Sequence, residues 1–306
     1  MKILAVLTGG TIGSVIHDGY IYTDEDAKKL VVNNYIDRFG NDVEFEIVEP
    51  FTVHSENLSY KEINKLVDVV CDSLSKNYDG IIVTHGTDSL QFSASALSFA
   101  VGNTQIPVLL VSAQYPMADY RSNGQVNFNG AVDFIKNKKG TGVYVAYSND
   151  NENVEFHQGN RVIMFNEADD KVYSLPPVTV KSALGKFELK DNSKTLVVTI
   201  SPGAVYDYNL DDIKAIILRP YHSGTINIKS QEFLDFVKKA KQKNIPVYLV
   251  NLKDGVCYEG VREYKNAGIN ILPFCSFPSI YMKAWIGNSM ECDFDKFMKT
   301  SIAGEF

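Results

Sequence analysis

Two short turns carry most of the residues able to do chemistry. Thr8, Gly9, Gly10, Thr11, Ile12 and Gly13 follow the apolar run ILAVL at residues 3–7. The glycines let the backbone approach a ligand closely, and the Thr11 hydroxyl sits among free amide donors. A dinucleotide fingerprint needs glycines at the first, third and sixth positions, and neither Gly9 nor Gly10 starts such a series. A P-loop is excluded as well, because no Gly-Lys-Ser/Thr follows. His85, Gly86, Thr87, Asp88 and Ser89 follow a second run, GIIVT, and set a hydroxyl beside a carboxylate near a helix N-terminus. That is a place for an anion or an oxyanion. Both turns also admit a plainer reading: a tight structural turn for the first, and Asp88 or Ser89 as the N-cap of the helix SLQFSASALSF for the second.

The elements that must position these turns are strands. Apolar runs of strand length recur at residues 3–7, 80–85, 108–111 and 142–147, with helix-like stretches between them. Continuous apolar strands imply a sheet covered on both faces, and hence parallel α/β architecture. In open sheets of this kind ligands bind beyond the carboxyl ends of the strands, which is where both turns lie. A second series, LVVTI at 196–200, AIILR at 215–219 and PVYLV at 246–250, begins after a proline-bearing and then polar stretch, SLPPVTV to GKFELKDNSK. This predicts a larger N-terminal parallel-sheet domain over residues 1–185 and a smaller C-terminal α/β domain over 195–306.

Composition narrows the function. The 306 residues carry 30 Lys plus Arg against 37 Asp plus Glu, a formal charge of −7, which disfavours a sequence-independent nucleic-acid binder and favours a small-molecule partner. Cys71, Cys257, Cys275 and Cys292 form no CxxC and read as reduced, buried thiols. His17, His54, His157 and His222 share no ligand spacing, so no metal site is expected. MKILAVLTGG reads as a buried first strand running into a glycine turn rather than as a signal peptide, and it is too short to span a membrane. A cytoplasmic protein is the expectation.

In their order and spacing, TGGTIG and HGTDS resemble the bacterial-type L-asparaginases. The resemblance continues through ASALSF, SAQYPMADYRSNGQVN, GNRV, SPG and ILRPYHSG, and is similar to the cytoplasmic type I branch in particular. It implies an asparaginase-like fold and hydrolysis of the asparagine side-chain amide, with L-glutamine as a secondary substrate. It also implies threonine chemistry without metal or organic cofactor, in a homodimer or homotetramer. By position, Thr11 is implied as the nucleophile, which needs a partner to take its proton. Tyr20 in HDGYIYTDE is implied as that partner, on a mobile lid, with Tyr22 in reserve. Either tyrosine could instead be an aromatic that covers the site. Thr87 is implied beside the acyl carbon or its attacking water, and Asp88 on the substrate ammonium. Ser55 and Glu56 in HSENLS are implied to hold the α-carboxylate and the ammonium, and Ser55 also suits an N-cap of the following helix. The Ala113 carbonyl is implied to accept from the substrate amide, with Gly10 and Gly86 at the same substrate site.

One position departs from the pattern. Where the resemblance implies a lysine after the GNR-like element, this chain has Met164, which can neither donate a hydrogen bond nor carry charge. Lys171 lies seven residues on and reads as a surface lysine or, with a shifted loop, as a substitute. Three functions remain open: an asparagine amidohydrolase of altered rate or substrate, a noncatalytic amino-acid sensor that kept the pocket, and an amidotransferase component acting on charged tRNA. The acidic balance argues against the last.

Overall fold

The apolar runs are strands of two separate sheets in the computed structural model, which describes residues 1–163, 169–250, 252 and 258–306. Contacts divide the chain into two compact units, Met1–Asp191 with Ile302–Gly304, and Asn192–Ser301 with Glu305–Phe306. In the first unit, β1 (Lys2–Leu7) leads into a hairpin of β2 (Ser14–His17) and β3 (Tyr20–Thr23). The hairpin turns at Asp18 and Gly19, both at positive φ, the conformation that an Asp-Gly pair adopts readily. β4 (Glu44–Val48), β5 (Gly80–Thr84), β6 (Pro107–Val111), β7 (Gly142–Ser148) and β8 (Val154–Gln158) complete a six-stranded sheet in the order β4-β1-β5-β6-β7-β8. Every neighbour pair in it is parallel except β7 with β8.

The two edge strands are those that no apolar run announces. EFEIV and VEFHQ mix charged and apolar residues because an edge strand keeps partial access to water. Helices α1 (Leu30–Phe39) and α4 (Gly124–Lys136) cover one face over a core that includes Ile3, Leu7, Ile82, Val111, Val31 and Phe128. On the other face α2 (Tyr60–Ser73) packs against α3 (Leu90–Val101). The cap of α2 is Ser59 rather than Ser55. The Lys61 amide donates to Ser59 Oγ at 3.3 Å and the Ser59 amide donates to Glu62 Oε2 at 3.0 Å, a reciprocal box. Helix α3 is buried along nearly its whole length. Its Ser95 and Ser98 hydroxyls donate to carbonyls four residues back, both at 2.8 Å, so neither hydroxyl is stranded.

The second unit holds β9 (Thr195–Thr199), β10 (Ala215–Arg219), β11 (Val247–Leu249) and β12 (Ile269–Ile271), all parallel, in the order β12-β11-β10-β9. Helices α5 (Gln231–Gln242) and α6 (Val261–Ala267) supply Phe233, Phe236 and Tyr264 to one core. Helices α7 (Phe277–Ser289) and α8 (Phe294–Lys299) close the other around Ile217, Tyr248, Ile280 and Met298. Phe277 and Tyr281 of α7 are half-buried against this core. Two of the cysteines depart from the sequence expectation: Cys292 is exposed and Cys71 is half-buried, with burial pushing the Cys71 thiol up to about 11. Cys275 is buried, and Cys257 lies outside the described residues. Among the described residues no helix is long and apolar enough to cross a membrane.

The second unit also buries an ion pair. Lys283 and Glu305 are both fully inaccessible; the ammonium contacts the carboxylate, donates to the Thr300 carbonyl at 2.5 Å and stands 4.5 Å from the Phe306 ring. Burial alone lowers the lysine's proton affinity, and the carboxylate opposes that shift. Replacing Lys283 by Met strands a carboxylate in the core, and we expect a loss of about 3–5 kcal/mol in urea unfolding. The double variant Lys283→Met, Glu305→Gln recovers much of that loss.

Candidate functional site

The parallel register places the chemistry. Leu7 pairs with Thr84, and Thr84 with Val111, so β1, β5 and β6 end level and their following turns leave the sheet side by side. The chain runs from β1 outward to β4 and returns to β5 on the opposite side of β1. The gap between β1 and β5 is therefore the switch point at which such sheets bind ligands. Thr8 and Thr84 cross-link the two strand ends: Thr8 Oγ1 donates to the Thr84 carbonyl at 2.6 Å, and the Thr8 amide donates to Thr84 Oγ1 at 3.3 Å.

Beyond them the two turns touch backbone to backbone. Gly10 stands at φ 74°, and a Cβ there would fall on the Gly86 amide nitrogen and Cα. A Cβ on Gly86 would lie 2.6 Å from Ser55 Cβ and 3.1 Å from Gly10 Cα. Only glycine fits either position. Residues 51–58 run along the other side of the first turn, where the Gly10 amide donates to the Val53 carbonyl at 3.1 Å and the Val53 amide donates to the Thr8 carbonyl at 3.2 Å. Ser55 is thereby delivered to the second turn. Its Oγ donates to Asp88 Oδ2 and accepts from the Asp88 amide, both at 3.2 Å, while Ser89 Oγ donates to the Ser55 carbonyl at 2.7 Å. Ser89 occupies the N-cap position of α3 without making a side-chain cap bond, because its hydroxyl is spent on Ser55.

Gly10, Ser55, Gly86 and Asp88 are thus in direct contact, with Thr11 and Thr87 on the same turns, both half-buried. Among the described residues neither threonine hydroxyl has a hydrogen-bond partner, so each is available to a ligand. Glu56 follows Ser55 in the turn Ser55–Asn57 and is exposed. Ala113 is buried on the third turn, where a Cβ on Gly124 would lie 3.0 Å from Ala113 Cβ and 3.2 Å from Ile12 Cγ1. The structure does not bring Tyr20 into this group: it is 69% exposed at the tip of the hairpin, paired with His17, and Tyr22 is exposed on the same face. Met164 lies outside the described residues. Lys171 is exposed, and the Asp170 carbonyl beside it accepts from Gln114 Nε2 at 3.4 Å and Tyr147 OH at 3.2 Å.

Sequence reasoning missed the residues that hold these turns from behind. Asn123 Oδ1 accepts from the Gln114 amide at 2.9 Å, and its Nδ2 donates to the Ser148 carbonyl at 3.0 Å, which latches the third turn to β7. Asn127 likewise donates to the Ser112 carbonyl at 2.8 Å and accepts from the Ser148 amide at 2.7 Å. His85 is buried, with Nδ1 bonded to the Gly86 carbonyl and Nε2 to Ser93 Oγ, both at 2.8 Å. A carbonyl can only accept, so Nδ1 carries the proton and Nε2 takes one from serine. Desolvation lowers the His85 pKa from 6.5 and keeps the ring neutral. The available signal was polar residues in segments otherwise apolar.

The arrangement defines an α/β protein with two threonine-bearing turns meeting at the switch point of its larger sheet. Residues 2–179 match the family described as Asparaginase, N-terminal, and the chain belongs to the asparaginase family. It is similar to L-asparaginase 1 of Escherichia coli (strain K12), 31% identical over 198 residues that cover 58% of this chain and 56% of that protein. It is also similar to a glutamyl-tRNA(Gln) amidotransferase component of Methanosarcina mazei, 27% identical over 302 residues, 87% of this chain and 69% of that one. The chain spans about half the length of the curated asparaginases it matches. The fold is that of the thermostable L-asparaginase from Thermococcus kodakarensis, with a TM-score of 0.80 at 24% identity, covering 100% of this chain and 99% of that one.

Three variants check this geometry. Gly86→Ala pushes the new methyl into Ser55, and we expect a loss of roughly 1–3 kcal/mol in denaturant unfolding. Gly10→Ala costs more, because left-handed strain adds to the clash. His85 gives a pH signature: the unfolded ring takes up a proton below about pH 6.5 while the buried ring does not, so stability is present above that pH and is lost as pH falls toward the lowered native value. In His85→Gln, the unfolding free energy measured between about pH 7 and 5 therefore declines less steeply than in the native protein.

Proposed function

We propose that this chain is an amidohydrolase that converts L-asparagine to L-aspartate and ammonia, with L-glutamine as a secondary substrate. The observation that carries the reading is the contact of the two glycine turns. It joins the turns that carry Thr11 and Thr87 to Ser55 and Asp88, which supports a pocket for an α-amino acid with a side-chain amide. In this reading Ser55 holds the α-carboxylate, while Asp88 and Glu56 face the ammonium. Gly10 and Gly86 let the backbone close on the substrate, and the Ala113 carbonyl accepts from its amide nitrogen.

Thr11 Oγ bonds to the amide carbon, and its proton passes through Tyr20 to the leaving nitrogen, so ammonia departs and an aspartyl ester remains on Thr11. Water positioned by Thr87 then adds to the ester carbon, returns a proton to Thr11 Oγ and releases aspartate. Tyr20 takes part once the hairpin folds over the first turn, so closure of the hairpin is a step of the reaction. The protein works in the cytoplasm as a homodimer or homotetramer, without metal or organic cofactor.

The methionine at 164 supports a second reading, in which the pocket binds an amino acid without turning it over. An ammonia-release assay on L-asparagine separates the two. The amidohydrolase reading expects turnover that falls at least about a thousandfold in Thr11→Ala, and a gain of up to about a hundredfold in Met164→Lys. No ammonia from either the native protein or Met164→Lys, with a melting temperature raised by asparagine or aspartate, sinks the enzyme and leaves the binding protein.

A further inference from the structure

Behind the first turn lies a cluster that the catalytic reading does not use. Lys28 sits in the short turn Ala27–Lys29 and its side chain is 2% exposed. Its ammonium contacts the Glu25 carboxylate, stands 3.2 Å from Glu49 Oε1 and donates to Thr52 Oγ1 at 2.8 Å. Three protons meet three acceptors, the condition under which a lysine tolerates burial. Lys29, 3.6 Å from Glu49 Oε2, balances the second carboxylate.

The three acceptors lie on two segments of different function. Glu25 follows the end of the hairpin, whose two feet are tied together where the Asp24 amide donates to the Gly13 carbonyl at 3.2 Å. Asp24 Oδ1 in turn accepts from the amides of Asp26 at 2.9 Å and Ala27 at 2.7 Å, which fixes the turn that carries Lys28. Thr52 precedes Val53, whose backbone pairs with Thr8 and Gly10, and stands three residues before Ser55. The lysine stem itself floors the Thr11 turn: a Cβ on Gly13 would lie 2.8 Å from Lys28 Cβ and 3.2 Å from its Cα. Gly13 has no room for a Cβ because the Cα and Cβ of residue 28 lie against it.

We propose that Lys28 is a positioning residue that locks the Thr11 turn, the Ser55 segment and the foot of the hairpin into one body. Its kinetic consequences rest on the amidohydrolase reading above. The arm to Glu25 sets the hairpin that brings Tyr20 to Thr11, and so governs turnover. The arm to Thr52 sets Ser55, and so governs substrate binding. Chemistry that depends on position loses rate steeply with small displacements. Lysine supplies what methionine of similar length cannot, a charge that both segments must face.

Amide hydrogen exchange on the ligand-free protein reads the lock without any chemistry. Lys28→Met is expected to speed exchange at least about tenfold over residues 14–23 and 52–55 while β5 and β6 keep their native rates. Glu25 is 72% exposed and Glu49 30% exposed, so both carboxylates rehydrate when the lysine is lost. Should Lys28→Met fail to fold, two milder variants carry the test. Glu25→Gln loosens the hairpin alone and lowers kcat for L-asparagine about tenfold at constant KM. Thr52→Val removes the bond to Lys28 and the bond that the Thr52 hydroxyl makes to Glu25, and raises KM severalfold with a smaller fall in kcat. Native exchange in both segments of Lys28→Met, or of the two milder variants, overturns the lock. Parallel changes of kcat and KM in both arm variants reduce the cluster to general stability and overturn the positioning role. No ammonia from the native protein or from Met164→Lys, beside a Lys28→Met variant with both segments loosened, overturns the amidohydrolase reading and leaves the lock standing.

Discussion

Two backbones at Gly10 and Gly86 pass so close that neither position has room for a single carbon beyond Cα, and the candidate site is arranged around that contact. It follows from the level ends of β1 and β5, where Leu7 pairs with Thr84 and the reciprocal Thr8 and Thr84 bonds close the last rung. With the turns this near, Thr11 and Thr87 are placed by main-chain geometry, with no long side chain left to choose a rotamer. Ser55 is held by the same contact from the third side. The site therefore stands on covalent geometry and ladder hydrogen bonds, the least adjustable parts of a protein.

The support behind the site is polar yet closed. His85, Ser93, Asn123 and Asn127 are buried, and each finds partners in backbone carbonyls, amides or one another. A network of this kind is stabilising only when its members are satisfied, since an orphaned buried group costs more than the bond it would have made. It excludes alternatives as well: shifting β6 against β7 by one residue would strand both side-chain amides, Asn123 and Asn127. The Lys28 cluster extends the same logic to charge, with carboxylates at its rim in water and its ammonium inside.

The hairpin follows a different rule. Among the described residues its two strands have no third neighbour, and such a pair is marginally stable by itself; Ile16, Tyr20, Ile21 and Tyr22 are all exposed on it. Its sequence encodes the turn, through Asp18 and Gly19, and the pairing of Tyr20 with His17. Its foot is held near Glu25, but among the described residues its tip rests on no large apolar surface, so the angle at which the tip stands over the first turn is left open.

The central strands, the helix between β5 and β6 and the two threonine turns were all legible in the chain, because a strand buried on both faces must be apolar throughout and a tight turn must contain glycine. Edge strands β4 and β8 were not, since half-exposure mixes their residues. Capping stays open in the sequence at Ser55 and Ser89 for a related reason: a serine before a helix can bond its own first turn or a distant partner, and only the folded chain shows which. The order of residues thus dictates which groups stand at the ends of which strands, and so the chemistry available to this protein. Folding alone dictates that the turns bearing Gly10 and Gly86, far apart in the chain, meet glycine to glycine, and that Lys28, just ahead of α1, is buried beneath one of them. Local sequence sets dihedral preferences and burial, whereas contact between distant segments depends on register, which many residues fix jointly and no single one encodes.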